Sequence, residues 1–233
     1  MTLTNRTLVI MAKAIRVGSV KTRLAGNLSP HQATELYACL LNDTLALARA
    51  LPKVAIAIMC PESDVEDLSL SVSEAVPVVP QTGPGLARGL ISVFERFASS
   101  GRQRVIAFNS DSPHLPASRL ESAFDLLENR DLVVGPTHDG GYYLVGAKDS
   151  HPALFEDDGM GTTSALEALL ARARKLKLQA AFTDPFYDID VASDLNRLAA
   201  ELELAPARAP RTANWLKEWT RRATHFEAGA GGS

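Results

Sequence analysis

The chain has 233 residues, a formal net charge of -3 at neutral pH, 46% hydrophobic and 22% charged residues, and two cysteines. This is the balance of a globular protein with enough apolar material for a large core. It excludes a dedicated nucleic-acid binder, which carries a basic surplus, and leaves no material for a disulfide framework or a four-ligand zinc centre.

The first element is the buried-looking strand TLVIMA, residues 7 to 12, followed by Lys13 and then by GSVKTRL, Gly18 to Leu24. This basic stretch is not a P-loop. With Lys21 as the motif lysine, the two glycines would fall on Ile15 and Val20, and β-branched residues do not take the backbone shape those positions need. What remains is a flexible loop with one glycine and two long cations, able to fold over a di- or triphosphate while Lys21 and Arg23 neutralise its oxygens. The alternative is a solvated basic loop.

Ser29, Pro30 and Gln32 then form a helix start with a capping box, continued by Leu36, Leu40 and Leu47 and ending near Leu51 and Pro52. A second strand is KVAIAIMC, 53 to 60, which puts Cys60 at a strand end, whereas Cys39 falls in the first helix. Pro77 and Pro80 argue against a strand in the next apolar stretch. GPGLARG, Gly83 to Gly89, resembles a dinucleotide fingerprint, but its last glycine is one residue too far along, which excludes a Rossmann NAD site. It reads instead as a loop opening a helix over 85 to 99, with Arg88 on its first turn and available to a phosphate or a base.

RVIAFN, 104 to 109, is the third strand, and SDSPHL follows it with Asp111 between Ser110, Ser112 and Pro113. After a helix over 117 to 128 comes the strand DLVVGP, 131 to 136, and then Asp139 in THDGGYY. GGYYLVGA, 140 to 147, follows after a short turn and reads as an extra, antiparallel strand. Further helices are expected at 162 to 175, 191 to 203 and 211 to 222; after the AAFTDPF run, YDID supplies Asp188 and Asp190. In the last helix Trp215 and Trp219 are one turn apart and pack on the core or on a second subunit.

Strands alternating with helices predict an α/β protein with a mainly parallel sheet, whose ligands collect beyond the carboxyl ends of the strands. No interior linker divides it, so a single domain over 1 to 227 is expected, with AGAGGS, 228 to 233, as a flexible tail. No segment reaches the roughly 18 apolar residues of a membrane span, and the start lacks a signal-peptide pattern, so a cytoplasmic location without a membrane span is expected.

Four strand ends would meet on one rim: Lys13, Lys21 and Arg23; Asp111; Asp139; Asp188 and Asp190. Carboxylates such as Asp111 and Asp190 suit Mg²⁺ or Mn²⁺ beside a polyphosphate. Either residue could instead cap a turn or helix. Asp139 is the candidate base, since His138 beside it would point to the opposite face and reads as a solvated turn residue. His31, His114, His151 and His225 lack metal-site spacing and read as structural or surface groups.

In this order VIMAK…GSVKTRL, NSDSPHLP, VGPTHDGGYYLVG and FYDIDVASDL resemble the nucleotide-diphospho-sugar transferase superfamily of GT-A fold. The likeness runs from about residue 7 to 203 and is strongest to a bacterial branch of arsenosugar-biosynthesis-type glycosyltransferases. That branch is similar to phospholactate guanylyltransferases and, more distantly, to molybdenum-cofactor guanylyltransferase. The resemblance implies a three-layer α/β/α sandwich. It also implies a nucleotide held by Lys13, Gly18, Lys21 and Arg23, a metal on Asp111 with Asp188 and Asp190, and an acceptor pocket at Asp139, Gly140, Gly141 and Tyr142. The chain departs from the family at Ile15, usually proline, at Pro84, usually acidic, and at Val191 to Ser193.

Two reactions fit such a clamp. In glycosyl transfer a nucleoside-diphosphate sugar gives up its sugar; in nucleotidyl transfer a nucleoside triphosphate is attacked at its α-phosphorus by a small phosphorylated acceptor. The branch label favours the first, with catalytic roles for Asp111, Asp139 and Lys21. A guanylyltransferase and a non-catalytic nucleotide-binding subunit are the alternatives. A homodimer is compatible, and no nucleic-acid partner is expected.

Overall fold

The computed structural model describes residues 5–72, 75–98, 103–156 and 164–230, with side chains to 222. Its centre is a seven-stranded sheet made of β1 (Arg6–Met11), β2 (Ala55–Cys60), β3 (Val78–Pro80), β4 (Arg104–Asn109), β5 (Leu132–Pro136), β6 (Tyr142–Ala147) and β7 (Ala180–Phe182), in the order β3-β2-β1-β4-β6-β5-β7. Every pairing is parallel except those of β6, which runs antiparallel to both β4 and β5. The extra strand of the sequence pattern is therefore a central one. It bridges β4 and β5, so the loops after β4 and β5 open on the same rim.

Strand residues alternate between two cores. Leu8, Ile10, Ile106 and Phe108 face α1 (Pro30–Ala50), α4 (Ala117–Asn129), α6 (Ala192–Leu204) and α7 (Pro210–Ala230), whereas Val9, Val105, Ala107 and Val145 face α3 (Gly85–Phe97) and α5 (Ala165–Lys175). This is the expected α/β/α layering. The capping box of α1 forms as predicted: Gln32 N donates to Ser29 Oγ and Ser29 N donates to Gln32 Oε1. Gly135 shows why the β5–β6 junction needs a bare backbone, because a Cβ there would lie 2.5 Å from the Tyr143 ring.

Several sequence expectations need revision. The stretch with Pro77 and Pro80 does form a strand, β3. It lies at the sheet edge, where a missing N–H costs nothing on the open side, and its flanks still bond through Ile58 N to Pro77 O and Gln81 N to Cys60 O. The short helix α2 (Val65–Ser71) was not anticipated. Helix α7 continues to Ala230, taking in the first three residues of the expected tail; 231 to 233 lie outside the described residues, as do 99, 162 and 163 at the ends of expected helices. Trp215 and Trp219 stack with ring centroids 6.0 Å apart against the core, and Trp215 Nε1 donates to Glu35. Among the described residues no helix is long and apolar enough to cross a membrane.

The turn after β4 is locked to the segment before α6 by an aromatic cluster. His114 is fully buried, its ring 4.7 Å from those of both Phe186 and Tyr187, and neither ring nitrogen has a hydrogen-bond partner among the described residues. Burial, helped by the charges of Arg197 and Arg208, pushes its pKa down to about 3. In the folded chain His114 is neutral, whereas the unfolded chain binds a proton below about pH 6.5. Its contribution to stability is therefore complete above that pH and is lost as pH falls toward 3, with a slope of up to about 1.4 kcal/mol per pH unit. Urea unfolding of His114→Leu is expected to show a shallower loss of stability between pH 6.5 and 4 than the parent; identical pH profiles would contradict the assignment.

Candidate active site

The loop after β1 is fastened at several points before it delivers its lysine. Tyr37 OH accepts from Lys13 N at 2.9 Å and bonds Ser110 Oγ at 3.2 Å, joining the ends of β1 and β4. Burial, then the Asp111 charge, push this phenol up to about 12, so it stays neutral. Asp64 accepts from Ala14 N and from Arg16, which also bonds Asp67, tying the loop to α2. Gly18 has φ 80° and Lys21 has φ 51°, a left-handed bend into the short turn Thr22–Leu24, where Leu24 is fully buried. The bend sends the Lys21 side chain inward, and only 4% of it remains exposed.

There the ammonium meets both acidic strand ends. Lys21 Nζ lies 2.7 Å from Asp111 Oδ1 and 3.3 Å from Asp190 Oδ1, and it donates to the Ile189 carbonyl. Arg23 Nη1 is 3.4 Å from the other oxygen of Asp190 and is largely exposed. Burial opposes the charge of Lys21, but the attraction of Asp111 and Asp190 outweighs it and holds the ammonium above its usual pKa.

Neither acid is spent on capping. Asn109 Oδ1 accepts from Asp111 N, and the start of α6 is capped by Asp194, whose Oδ2 accepts from Asp190 N and Val191 N. The capping alternative for Asp190 is thereby replaced by Asp194, four residues on. Ile189 N donates to Asp111 O and Ser112 Oγ donates to Tyr187 O, which holds the two acidic segments side by side.

These groups line a cleft of about 940 Å³ above the carboxyl ends of the strands. Lys13, Lys21, Arg23, Asp111, Asp188 and Asp190 all reach it, and Asp139, Gly141 and Tyr142 line its far side. Three expected site residues lie elsewhere. Gly18 shapes the loop without lining the cleft, Arg88 lies back against Gly83, and Gly140 belongs to a shallow depression beside Leu166 and Glu167. Tyr143 is buried in the core and bonds Thr183. His138 is an exposed turn residue, as expected.

Asp139 is held in its turn. Thr137 Oγ1 donates to its Oδ1 at 2.5 Å, and Gly141 N donates to the same oxygen. The Thr137 bond, with Gly141 and the Arg23 charge, keeps this carboxyl below the usual range despite partial burial. Tyr37, Asn109, Thr137 and Gln81 also shape the cleft and were not singled out from the sequence. Asn109 ends β4 and Thr137 directly follows β5, a signal that could have found them; Tyr37 reads simply as one more apolar position of α1.

The site offers hard oxygen donors suited to a divalent cation. Burial, then the neighbouring charges of Asp190 and Asp111, raise the pKa of Asp188 to about 6, and it makes no ion pair among the described residues. Asp111 Oδ1 is buried, and its near contact among the described residues is the ammonium of Lys21. Among the described residues no three such side chains already surround one point; Lys21 lies between two of them. The donor set thus fits Mg²⁺ or Mn²⁺ in chemistry, with Lys21 supplying the local positive charge.

A model of the family described as "Uncharacterized protein conserved in bacteria (DUF2064)" matches residues 44–162. The chain is 25% identical over 185 residues to a 2-phospho-L-lactate guanylyltransferase of Methanocaldococcus jannaschii, covering 78% of each. It is 26% identical over 196 residues to a phosphoenolpyruvate guanylyltransferase of Sphaerobacter thermophilus, covering 83% of this chain and 93% of the relative. A solved structure of a candidate nucleotide-diphospho-sugar transferase from Desulfovibrio desulfuricans superposes with a TM-score of 0.85 at 25% identity, over 92% of this chain and 95% of that one. The fold is that of the nucleotide-diphospho-sugar transferases.

Lys21→Met strips Asp111 of its ion-pair partner and leaves Asp190 with the exposed Arg23 alone, beside Asp188, and is expected to lower stability at pH 7 by about 1–3 kcal/mol. Adding Asp111→Asn removes one of the stranded charges, so the double variant should lose less than the sum of the two single variants. Urea unfolding of the four proteins checks this; strict additivity would show that the two groups are not coupled.

Proposed function

The chain belongs to the DUF2064 family of bacterial proteins, and from that starting point we propose that it is a nucleotidyltransferase: it transfers a nucleoside monophosphate from a triphosphate to a small phosphorylated acid and releases pyrophosphate. The observation that carries this reading is the state of Asp139. A glycosyl acceptor attacks through a hydroxyl, which needs a base to take its proton. Asp139, the candidate for that task, has an oxygen engaged by Thr137 and Gly141 and a lowered pKa. A phosphorylated acceptor arrives with an ionised oxygen and needs no base. The names of the relatives support the same direction, since 2-phospholactate and phosphoenolpyruvate are both small phosphorylated acids.

In this reading the triphosphate lies along the cleft with its β- and γ-phosphates toward Lys21 and Arg23. An oxygen of the acceptor phosphate attacks the α-phosphorus, the bond from that phosphorus to the bridging oxygen of the β-phosphate breaks, and pyrophosphate leaves with the electron pair. Lys21 is pre-set for the charge that grows on the leaving group, because it is already buried, charged and held in position. Arg23, being exposed, adapts to the phosphates as they enter. Asp111, Asp188 and Asp190 would hold Mg²⁺ or Mn²⁺, which when bound supplies further neutralisation of phosphate charge. A purely regulatory nucleotide-binding subunit gains nothing from gathering three carboxylates on one rim, where their repulsion costs stability.

The test is a pyrophosphate-release assay with GTP, CTP, ATP and UTP, each with 2-phospholactate or phosphoenolpyruvate and Mg²⁺, beside a nucleoside-diphosphate-release assay with diphosphate sugars. Acceptor-dependent pyrophosphate is expected; release of nucleoside diphosphate from a sugar donor, with no pyrophosphate from any triphosphate, would overturn the proposal in favour of glycosyl transfer. Within the same assay Asp139→Asn is expected to lose less than about tenfold in kcat, against the 10²–10⁴ typical of a missing general base.

A further inference from the structure

One end of the cleft takes no part in the phosphate chemistry. Beyond Lys21, on the side of β1, β2 and β3, the walls include Met11, Met59, Leu86 and Leu90, and with them stands the polar side chain of Gln81. Both hydrogens of its carboxamide are committed. Nε2 donates to the carbonyls of Gly83 at 2.8 Å and Gly85 at 3.1 Å. Two carbonyl partners settle which end is nitrogen, because an oxygen in that place would face two oxygens. The other end, Oε1, accepts no hydrogen bond among the described residues and is not one of the sealed, partnerless buried atoms. It lies beside Gly89, where a Cβ would come within 2.7 Å of it and equally close to Met11 Cε. Gly89 is thus the bare position that lets the carboxamide and the thioether share this end of the cleft.

We infer that Gln81 Oε1 is the group that reads the nucleobase, and that it selects guanine. The inference rests on the nucleotidyl-transfer reading above and deepens it. Apolar side chains form a slot for a flat ring, and the carboxamide presents to that ring's edge an acceptor whose orientation is fixed. Guanine places two adjacent donors, N1–H and the 2-amino group, on one edge, and both can converge on one oxygen. Adenine and cytosine offer one amino donor next to a ring-nitrogen acceptor, which an acceptor-only partner leaves facing a lone pair. Uracil offers N3–H between two carbonyl oxygens. An oxygen held by two bonds behind it cannot rotate to suit these alternatives, so the discrimination follows from how Gln81 is anchored.

The experiment is calorimetric titration with GTP, ITP and UTP in the presence of Mg²⁺, for the parent protein, Gln81→Met and Gly89→Ala. ITP differs from GTP only by the 2-amino group. The parent is expected to bind GTP about 3- to 10-fold more tightly than ITP, the worth of one hydrogen bond, and UTP more weakly than either. In Gln81→Met the ratio of GTP to ITP should fall to near one. The loop keeps an independent anchor in that variant, since Thr82 N and Oγ1 both bond Ser92 Oγ. Gly89→Ala displaces Oε1 while keeping the Thr82 anchor of the loop on Ser92, and should level the ratio in the same way. A parent that does not distinguish GTP from ITP, or a ratio that survives both substitutions, overturns the role of Gln81 while leaving nucleotidyl transfer intact. Uniform weakening of all three nucleotides with the ratio preserved would likewise assign Gln81 a purely structural part. Failure of the parent to bind any triphosphate would instead bring down the functional reading on which the inference rests.

Discussion

A single buried ammonium sets the layout of the cleft. Lys21 comes from the loop after β1, Asp111 from the end of β4, and Asp190 from the segment before α6, and their charges meet within 2.7 to 3.3 Å. Burying a lysine is costly unless it is paired. Two carboxylates and the Ile189 carbonyl offset that cost, so the ion pairs both hold the three segments together and keep the charge in place. Tyr37, Asn109, Ser112 and Asp194 each remove a backbone or loop demand that Lys21 or the acids would otherwise have to meet. This leaves the acidic side chains facing the cation and the open cleft rather than being consumed as caps.

The antiparallel β6 has a direct consequence for chemistry. By standing between β4 and β5 it separates the Asp111 turn from the Asp139 turn by one strand width, so the cleft is divided into regions along the sheet. Toward β3 lies the apolar end with Gln81; in the middle lies Lys21 with its acids; toward β5 lie Asp139 and Tyr142. On the proposed reading, base, phosphates and acceptor would follow one another across the sheet from β3 to β5.

Much of this was legible in the sequence because the signals were local. β-branched runs, the Ser29 capping box and the polar residues just past each strand depend on neighbours in the chain, and they located β1, β2, β4, β5, β6 and α1 within a residue or two. The short β3 escaped because two prolines outweigh three residues of propensity unless the strand is known to lie at an edge, which is a property of the assembled sheet. Residues such as Asp111 and Asp190 could be singled out but not distinguished from caps. What decides between the two roles is whether another residue does the capping, and Asp194 is found to do so only when the backbone of Asp190 is seen to point at it. Arg88 illustrates the converse: the sequence places it at a helix start, but its side chain lies back on Gly83 instead of turning to the cleft. Gln81 gave no signal at all, since its meaning comes from two glycine carbonyls that fix one end of an amide.

The central claim is that the buried charge of Lys21 is the seat of a nucleotide's phosphates. The most direct measurement is calorimetric titration of GTP with Mg²⁺ into the parent protein and into Lys21→Ala, with the fold of the variant confirmed by circular dichroism. The account predicts a loss of about 1–3 kcal/mol in binding free energy, roughly 5- to 150-fold in Kd, as for a missing charge-assisted hydrogen bond. Equal affinity in a folded Lys21→Ala variant would contradict it and move the phosphate site elsewhere in the cleft.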